Sequence, residues 1–151
     1  MLRNFPEIPA NCLEIEIVES KALDDIEQVS RIISQCQSYG VKFSLDDFGT
    51  GYSTLTYLKR LSVDTLKIDQ SFVRDMLHDA SALAIVRGVI GLAQAFNSST
   101  VAEGVESWRH AHLLNALGCE LIQGYAIAKP MPAEEFPQWL AQFQVPSLRD
   151  V

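Results

Sequence analysis

The stretch KFSLDDFGTGYSTLTYLKRLSVDTLKID, residues 42–69, decides how this chain folds. It opens with a short apolar run that delivers two adjacent carboxylates, Asp46 and Asp47, into a glycine-bearing loop. It closes with TLKID (65–69), which sets Lys67 and Asp69 among apolar neighbours. Strands avoid charge on a buried surface, because an unpaired ion there costs several kcal/mol. Four charged groups at two strand ends therefore point to a site. Between them TLTYLKRL reads as a short helix, and strand, helix, strand is a unit whose two strands run parallel.

The same alternation extends in both directions. CLEIEIVE (12–19) places Leu13, Ile15 and Ile17 on one face and Glu14, Glu16 and Val18 on the other, which predicts a strand, with Ser20 placed to cap the helix after it. Leu23, Ile26, Val29, Ile32, Ile33 and Cys36 recur at helical spacing, and Gly40 supplies a stop. Beyond residue 69 a helix is predicted from Ala80 to Phe96, a strand over STVAEGV (99–105), a helix from Trp108 to Leu117, and a strand over ELIQGYAI (120–127). KPMP then turns into a last helix carrying Phe136, Trp139, Leu140 and Phe143. Residues 1–11 are a lead-in and 145–151 a tail. No Asn-Gly or Asp-Gly hairpin separates the strands, so the expected fold is α/β with a parallel sheet. No G-x-G-x-x-G follows the first strand, which favours part of a (β/α)8 TIM-like barrel of about five βα units over a dinucleotide-binding open sheet.

Composition narrows the function. The 151 residues are 48% hydrophobic and 21% charged, ordinary values for one globular domain. No apolar run is long enough for a bilayer and MLRNFPEIPAN has no signal-peptide core, so the expected location is the cytoplasm. Cys12, Cys36 and Cys119 are odd in number and far apart, and they read as buried reduced thiols. A net charge of −7 argues against a nucleic-acid duplex as partner. An anionic substrate stays open, because bound divalent cations invert the local potential.

Glu16, Asp46, Asp47, Glu103 and Gln123 all fall at or near the C-terminal ends of strands, the edge where parallel α/β folds keep their sites. The four acids make an oxygen-ligand set suited to Mg²⁺ or Mn²⁺. One such acid alone is more often a solvated strand end or a helix cap; four at one edge favour a site. Lys67, in phase with Asp69, allows two readings: a buried ion pair, or an ammonium acting on a water or on phosphoryl charge. GTGYS (49–53) lacks the Gly-Lys-Ser/Thr of a P-loop and reads as a lid or a turn. His110 and His112 read as solvated, and Trp108, Trp139 and Phe143 as helix faces packed on the sheet.

LEIEIVES, SLDDFGTGYSTLTYLKRLSVDTLKIDQSFV, VAEGVES and LGCELIQGYAIAKPMP, in this order, resemble the successive motifs of the EAL-domain family, bacterial phosphodiesterases that open cyclic di-GMP to linear pGpG. The resemblance implies that residues 12–144 are the C-terminal part of such a barrel domain. It implies metal ligation by Glu16, Asp46, Asp47 and Glu103, with Asp46 shared between two cations. Lys67 is similar to the lysine that touches the catalytic water, Glu103 to the glutamate proposed as base, and Gln123 to the glutamine near that water. Glu19 resembles the acid that steadies the Asp-Asp loop and couples it to a homodimer interface. The implied reaction is in-line attack by a metal-generated hydroxide. Sensor or cyclase domains upstream fit the same resemblance.

The Glu-Ala-Leu tripeptide, a substrate arginine and a metal-binding asparagine of the family have no counterpart here; they would precede Met1. Val18, Gln70 and the NSST segment (97–100) are smaller departures. The expectation is therefore an isolated chain that dimerises or is poorly stable through its open strand edges, and that does not turn over cyclic di-GMP alone. The alternative is a non-catalytic module for nucleotide binding or protein interaction.

Overall fold

The computed structural model describes residues 8–19, 25–49 and 55–146. Expectations on the first seven residues, Ser20 and Leu23, the GTGYS loop beyond Gly49 and the last five residues lie outside the described residues.

Five strands form one sheet in the order β1 (Glu14–Val18), β2 (Lys42–Phe48), β3 (Thr65–Ile68), β4 (Ser99–Ala102) and β5 (Leu121–Ile122). Every neighbouring pair is parallel. A doubly wound sheet reverses its strand order at the switch point. Here the order follows the sequence without reversal, as in an arc of a (β/α)8 barrel, so the predicted fold class is borne out. Helices α1 (Ile26–Gln37), α2 (Leu55–Leu61), α3 (Gln70–Asp75), α4 (Ala80–Phe96), α5 (Trp108–Ala116) and α6 (Phe136–Gln142) connect or follow the strands.

The core lies between the sheet and these helices. Phe43, Leu45, Leu66 and Ile68 from the strands meet Ile33, Leu58, Leu61, Val73, Val86, Val89, Ile90 and Leu114 from α1–α5. β3 is the middle strand and all four of its residues are buried, whereas β1 is an edge strand with Leu13, Ile15 and Val18 about two-fifths exposed. No helix among the described residues is long and apolar enough to cross a membrane.

Several expectations need correction. α3 was not anticipated; Asp69 caps it by accepting from Ser71 N at 2.9 Å. The cap of α1 is Asp25, which accepts from Gln28 N. β4 and β5 end earlier than their apolar runs suggest. Past Ala102 and Ile122 the two segments knit irregularly, Val105 N donating to Gln123 O at 3.0 Å and Ala126 N to Val105 O at 2.9 Å. Cys12 is exposed and Cys36 half-buried, and only Cys119 fits the buried reading. His110 is buried, with Nδ1 2.8 Å from Ser107 Oγ and Nε2 3.2 Å from Arg74 O. A carbonyl only accepts, so Nε2 carries the proton and the histidine bridges α5 to α3. Trp108, Trp139 and Phe143 form a half-buried aromatic ladder, and α6 buries none of its residues completely.

Candidate metal and phosphodiester site

Adjacent residues of a regular strand point to opposite faces of the sheet. Asp46 and Asp47 escape this rule because the β2–β3 register shifts between Leu45 and Phe48, and Asp47 adopts φ 56°. Aspartate tolerates that left-handed conformation better than most residues, at about 1–2 kcal/mol. The irregularity brings oxygens of Asp46, Asp47 and Glu103 within 4.8 Å of one another. Sequence reasoning named all three acids; the bulge that lets neighbours converge has no simple sequence signal.

Lys67 stands at the middle of this edge. Its Nζ lies 2.8 Å from Glu16 Oε1, 3.0 Å from Asp46 Oδ1 and 2.8 Å from Glu103 Oε1. Three segments of the arc thus converge on one ammonium whose side chain is 9% exposed. Ser44, in register with Glu16 on one side and Thr65 on the other, is small enough to leave Glu16 a path across β2. Glu103 follows β4 directly and is held by its own N–H, which donates to Ile68 O at 3.2 Å. Burial works against the charged form of Lys67, but hydrogen bonds to Glu103 and Glu16 and the closeness of Asp46 outweigh it and raise its pKa above the ordinary lysine value. Asp69, in phase with Lys67, caps α3 and stands close enough to Asp47 to raise its pKa.

The cluster carries more negative than positive charge. Burial first, then the nearby Asp46 and Asp69 carboxylates, push the Asp47 pKa up, with Lys67 pulling the other way. Asp46 Oδ1 is buried and, although close to Lys67, is not aligned for a hydrogen bond with any group among the described residues. Hard oxygen donors, excess negative charge and an orphaned carboxylate oxygen are what a Mg²⁺- or Mn²⁺-type ion requires, so the donor set fits a divalent cation.

Glu19 is 2% exposed and its Oε2 accepts from Gly49 N at 3.0 Å, tying the end of β1 to the segment after Asp47. Gln123 lines a cavity of about 300 Å³ beside Glu103, together with Gln70, Glu106 and Tyr125. Glu106 and Tyr125 were not singled out from the sequence, and Gln70 only as a departure. The glycines Gly104 and Gly124 beside them were the available signal.

A profile of the EAL domain matches residues 2–130. The chain belongs to the EAL domain family. A 123-residue segment is 44% identical to MucR of Pseudomonas aeruginosa, described as a bifunctional diguanylate cyclase/cyclic di-GMP phosphodiesterase; the match covers 82% of this chain and 18% of MucR. Among solved structures, the EAL domain of Mycobacterium smegmatis DcpA matches with TM-score 0.85 and 43% identity, over 96% of this chain and 65% of that one. Klebsiella pneumoniae BlrP1, solved as a manganese and cyclic di-GMP complex, matches with TM-score 0.76 and 31% identity, over 82% of this chain and 32% of that one. The chain thus spans about a fifth of the length of the curated relatives it matches. EAL domains are barrels of the (β/α)8 type, and the five-stranded sheet of this chain is part of such a barrel.

Proposed function

We propose that this chain carries the C-terminal part of a cyclic di-GMP phosphodiesterase site, with residues 12–144 as the barrel portion. The observation that carries the reading is the contact of Lys67 with Glu16, Asp46 and Glu103 within 3.0 Å, at the edge where Asp47 also converges. Glu16, Asp46, Asp47 and Glu103 would hold Mg²⁺ or Mn²⁺, and two such ions, when bound, supply Lewis-acid stabilisation of the attacking and leaving oxygens of a diester.

The roles of the chain's own groups follow from their charges. A lysine with a raised pKa stays an ammonium, so Lys67 cannot be the base. It orients Glu103 and places a positive charge where phosphoryl charge develops. Glu103, a carboxylate at hydrogen-bond distance from that ammonium, is the group that takes the proton of the attacking water. Gln123, across the adjoining cavity, positions that water by its amide, and Glu19 holds the backbone that carries Asp47. Hydrolysis of one diester would yield linear pGpG.

Among the described residues no strand pairs with the outer edges of β1 and β5, which supports self-association of this chain. Isothermal titration with Mn²⁺ and then cyclic di-GMP, followed by chromatography for the linear product, tests the reading. Metal-dependent binding of both without product is the result expected of a chain that carries part of the site, whereas nucleotide binding that needs no Mn²⁺ would favour the alternative, a nucleotide-binding module without catalysis. Binding of neither would overturn the proposal. Where the parent chain turns over, Asp46→Asn should abolish the product.

A further inference from the structure

Glu16 on β1, Ser44 on β2 and Thr65 on β3 stand opposite one another in register, and residues paired in this way share a face of the sheet. Lys67 lies two positions past Thr65 and faces the same way. Phe43 and Leu45 turn to the other face, where they join the helix-side core. The 2.8 Å contact of Glu16 with Lys67 therefore links β1 to β3 across the top of β2. Neighbouring strands lie about 4.8 Å apart, so the crossing spans about 10 Å.

Ser44 sits beneath this crossing and is 0% exposed, whereas Glu14 and Lys42, paired one step back on the same face, are exposed. What covers Ser44 is thus local to the row of Glu16 and Lys67. The Ser44 hydroxyl has no hydrogen-bond partner among the described residues, so the residue does not hold its neighbours by a bond. Its contribution is its size. A branched side chain at this position would fill the space through which Glu16 crosses. Glu16 is 57% exposed, so solvent takes its carboxylate as soon as that path closes.

We propose that Ser44 is a positioning residue of the metal site, whose short side chain admits Glu16 to the cluster of Asp46 and Glu103 around Lys67. This rests on the phosphodiesterase reading and deepens it. Valine is the informative replacement. It suits a strand, so β2 still forms, but it sets two methyl groups where a fully buried serine has one hydroxyl. Alanine removes the hydroxyl and leaves the path open.

The test is a double-mutant cycle, read by isothermal titration of the 151-residue chain with Mn²⁺. Ser44→Val should weaken Mn²⁺ binding roughly 10–100-fold, the usual cost of disturbing a group that orients a ligand. Glu16→Gln should weaken it comparably, and the double variant no further than either change alone. Ser44→Ala should bind Mn²⁺ as the parent does. Metal-free crystal structures should show Glu16 turned away from Lys67 in the valine variant and still touching it in the alanine variant. Ser44→Thr, which keeps the hydroxyl and adds one methyl, carries the same expectation as valine and replaces it if that variant does not fold. A Glu16–Lys67 contact retained in the branched variant would overturn the proposal. Additive losses in the cycle would overturn it too, since the damage would then not pass through Glu16. Weakened Mn²⁺ binding in Ser44→Ala would do the same, because the hydroxyl and not the size would matter. A parent chain that binds no Mn²⁺ would overturn the phosphodiesterase reading, and the crystal structures would still decide whether Ser44 sets the path of Glu16.

Discussion

Gly49 N donates a 3.0 Å hydrogen bond to Glu19 Oε2, and this bond joins the end of β1 to the residue two past Asp47. Asp47 holds a left-handed backbone, so the segment around it needs an anchor. Glu19→Ala would leave a backbone N–H without its acceptor and is expected to cost about 1–3 kcal/mol in urea unfolding. Mn²⁺ binding should weaken with it, because Asp47 is free to leave the cluster. Glu19→Gln keeps an oxygen acceptor and should recover most of both losses. An alanine variant with parent stability and parent Mn²⁺ affinity would remove the anchoring role.

Glycines in this chain answer to opposite tests. A Cβ at Gly124 would stand 2.3 Å from Val105 N and O, backbone atoms that have no rotamer to escape through. Gly124→Ala should therefore break the pairing of Val105 with Gln123 and lower stability by more than about 2 kcal/mol, or prevent soluble expression. Gly88 lies inside α4 with nothing within 4 Å of its added Cβ. Gly88→Ala should raise stability by about 0.5–1 kcal/mol by restricting the unfolded chain and favouring helix. Thermal unfolding of the two variants in parallel checks both signs.

The legible parts of this fold were those governed by long periods. The spacing of Leu83, Val86, Val89, Ile90 and Ala93 placed α4 at its observed bounds, and alternation within residues 12–19 placed β1. Parallel topology then set Glu16, Asp46, Asp47 and Glu103 at one edge, where oxygens of Asp46, Asp47 and Glu103 converge and Lys67 reaches Glu16, Asp46 and Glu103. What escaped depends on short-range or irregular geometry. α3 has six residues, too few for a periodic signal, though Asp69 ahead of Ser71 is a capping pattern. β5 is cut to two residues because Gly124 lets the chain turn against Val105. His110 reads as a surface residue in sequence, and its burial depends on a carbonyl of α3 that lies 36 positions away.

The three cysteines should separate cleanly in a thiol assay. Cys12 is exposed and Cys36 half-buried. Cys119 is 6% exposed, and burial raises its pKa above the ordinary thiol value. Less thiolate and less access both slow attack on a disulfide reagent. Native protein treated with Ellman's reagent should therefore lose Cys12 first and Cys119 only on unfolding, with peptide mass spectrometry assigning the sites. Rapid native labelling of Cys119 would mean that the β4–β5 region opens far more readily than its packing implies.

Lys67 is the only ammonium at hydrogen-bond distance from the acidic cluster among the described residues, and its removal has two consequences of opposite metal dependence. In chelator, Lys67→Met leaves Asp46 and Glu103 partly buried without their cation, and breaking such a pair costs about 3–5 kcal/mol when burial is complete. Both acids retain about a fifth of their exposure, so the loss should fall at or below the low end of that range. Adding Mn²⁺ should return much of the lost stability, because a divalent ion can take over the same oxygens, and ligand binding raises the stability of the folded state by mass action. Unfolding of the parent and variant chains with chelator and with Mn²⁺ measures this coupling. Equal stability of the two chains in chelator would show that solvent, and not Lys67, balances the carboxylates.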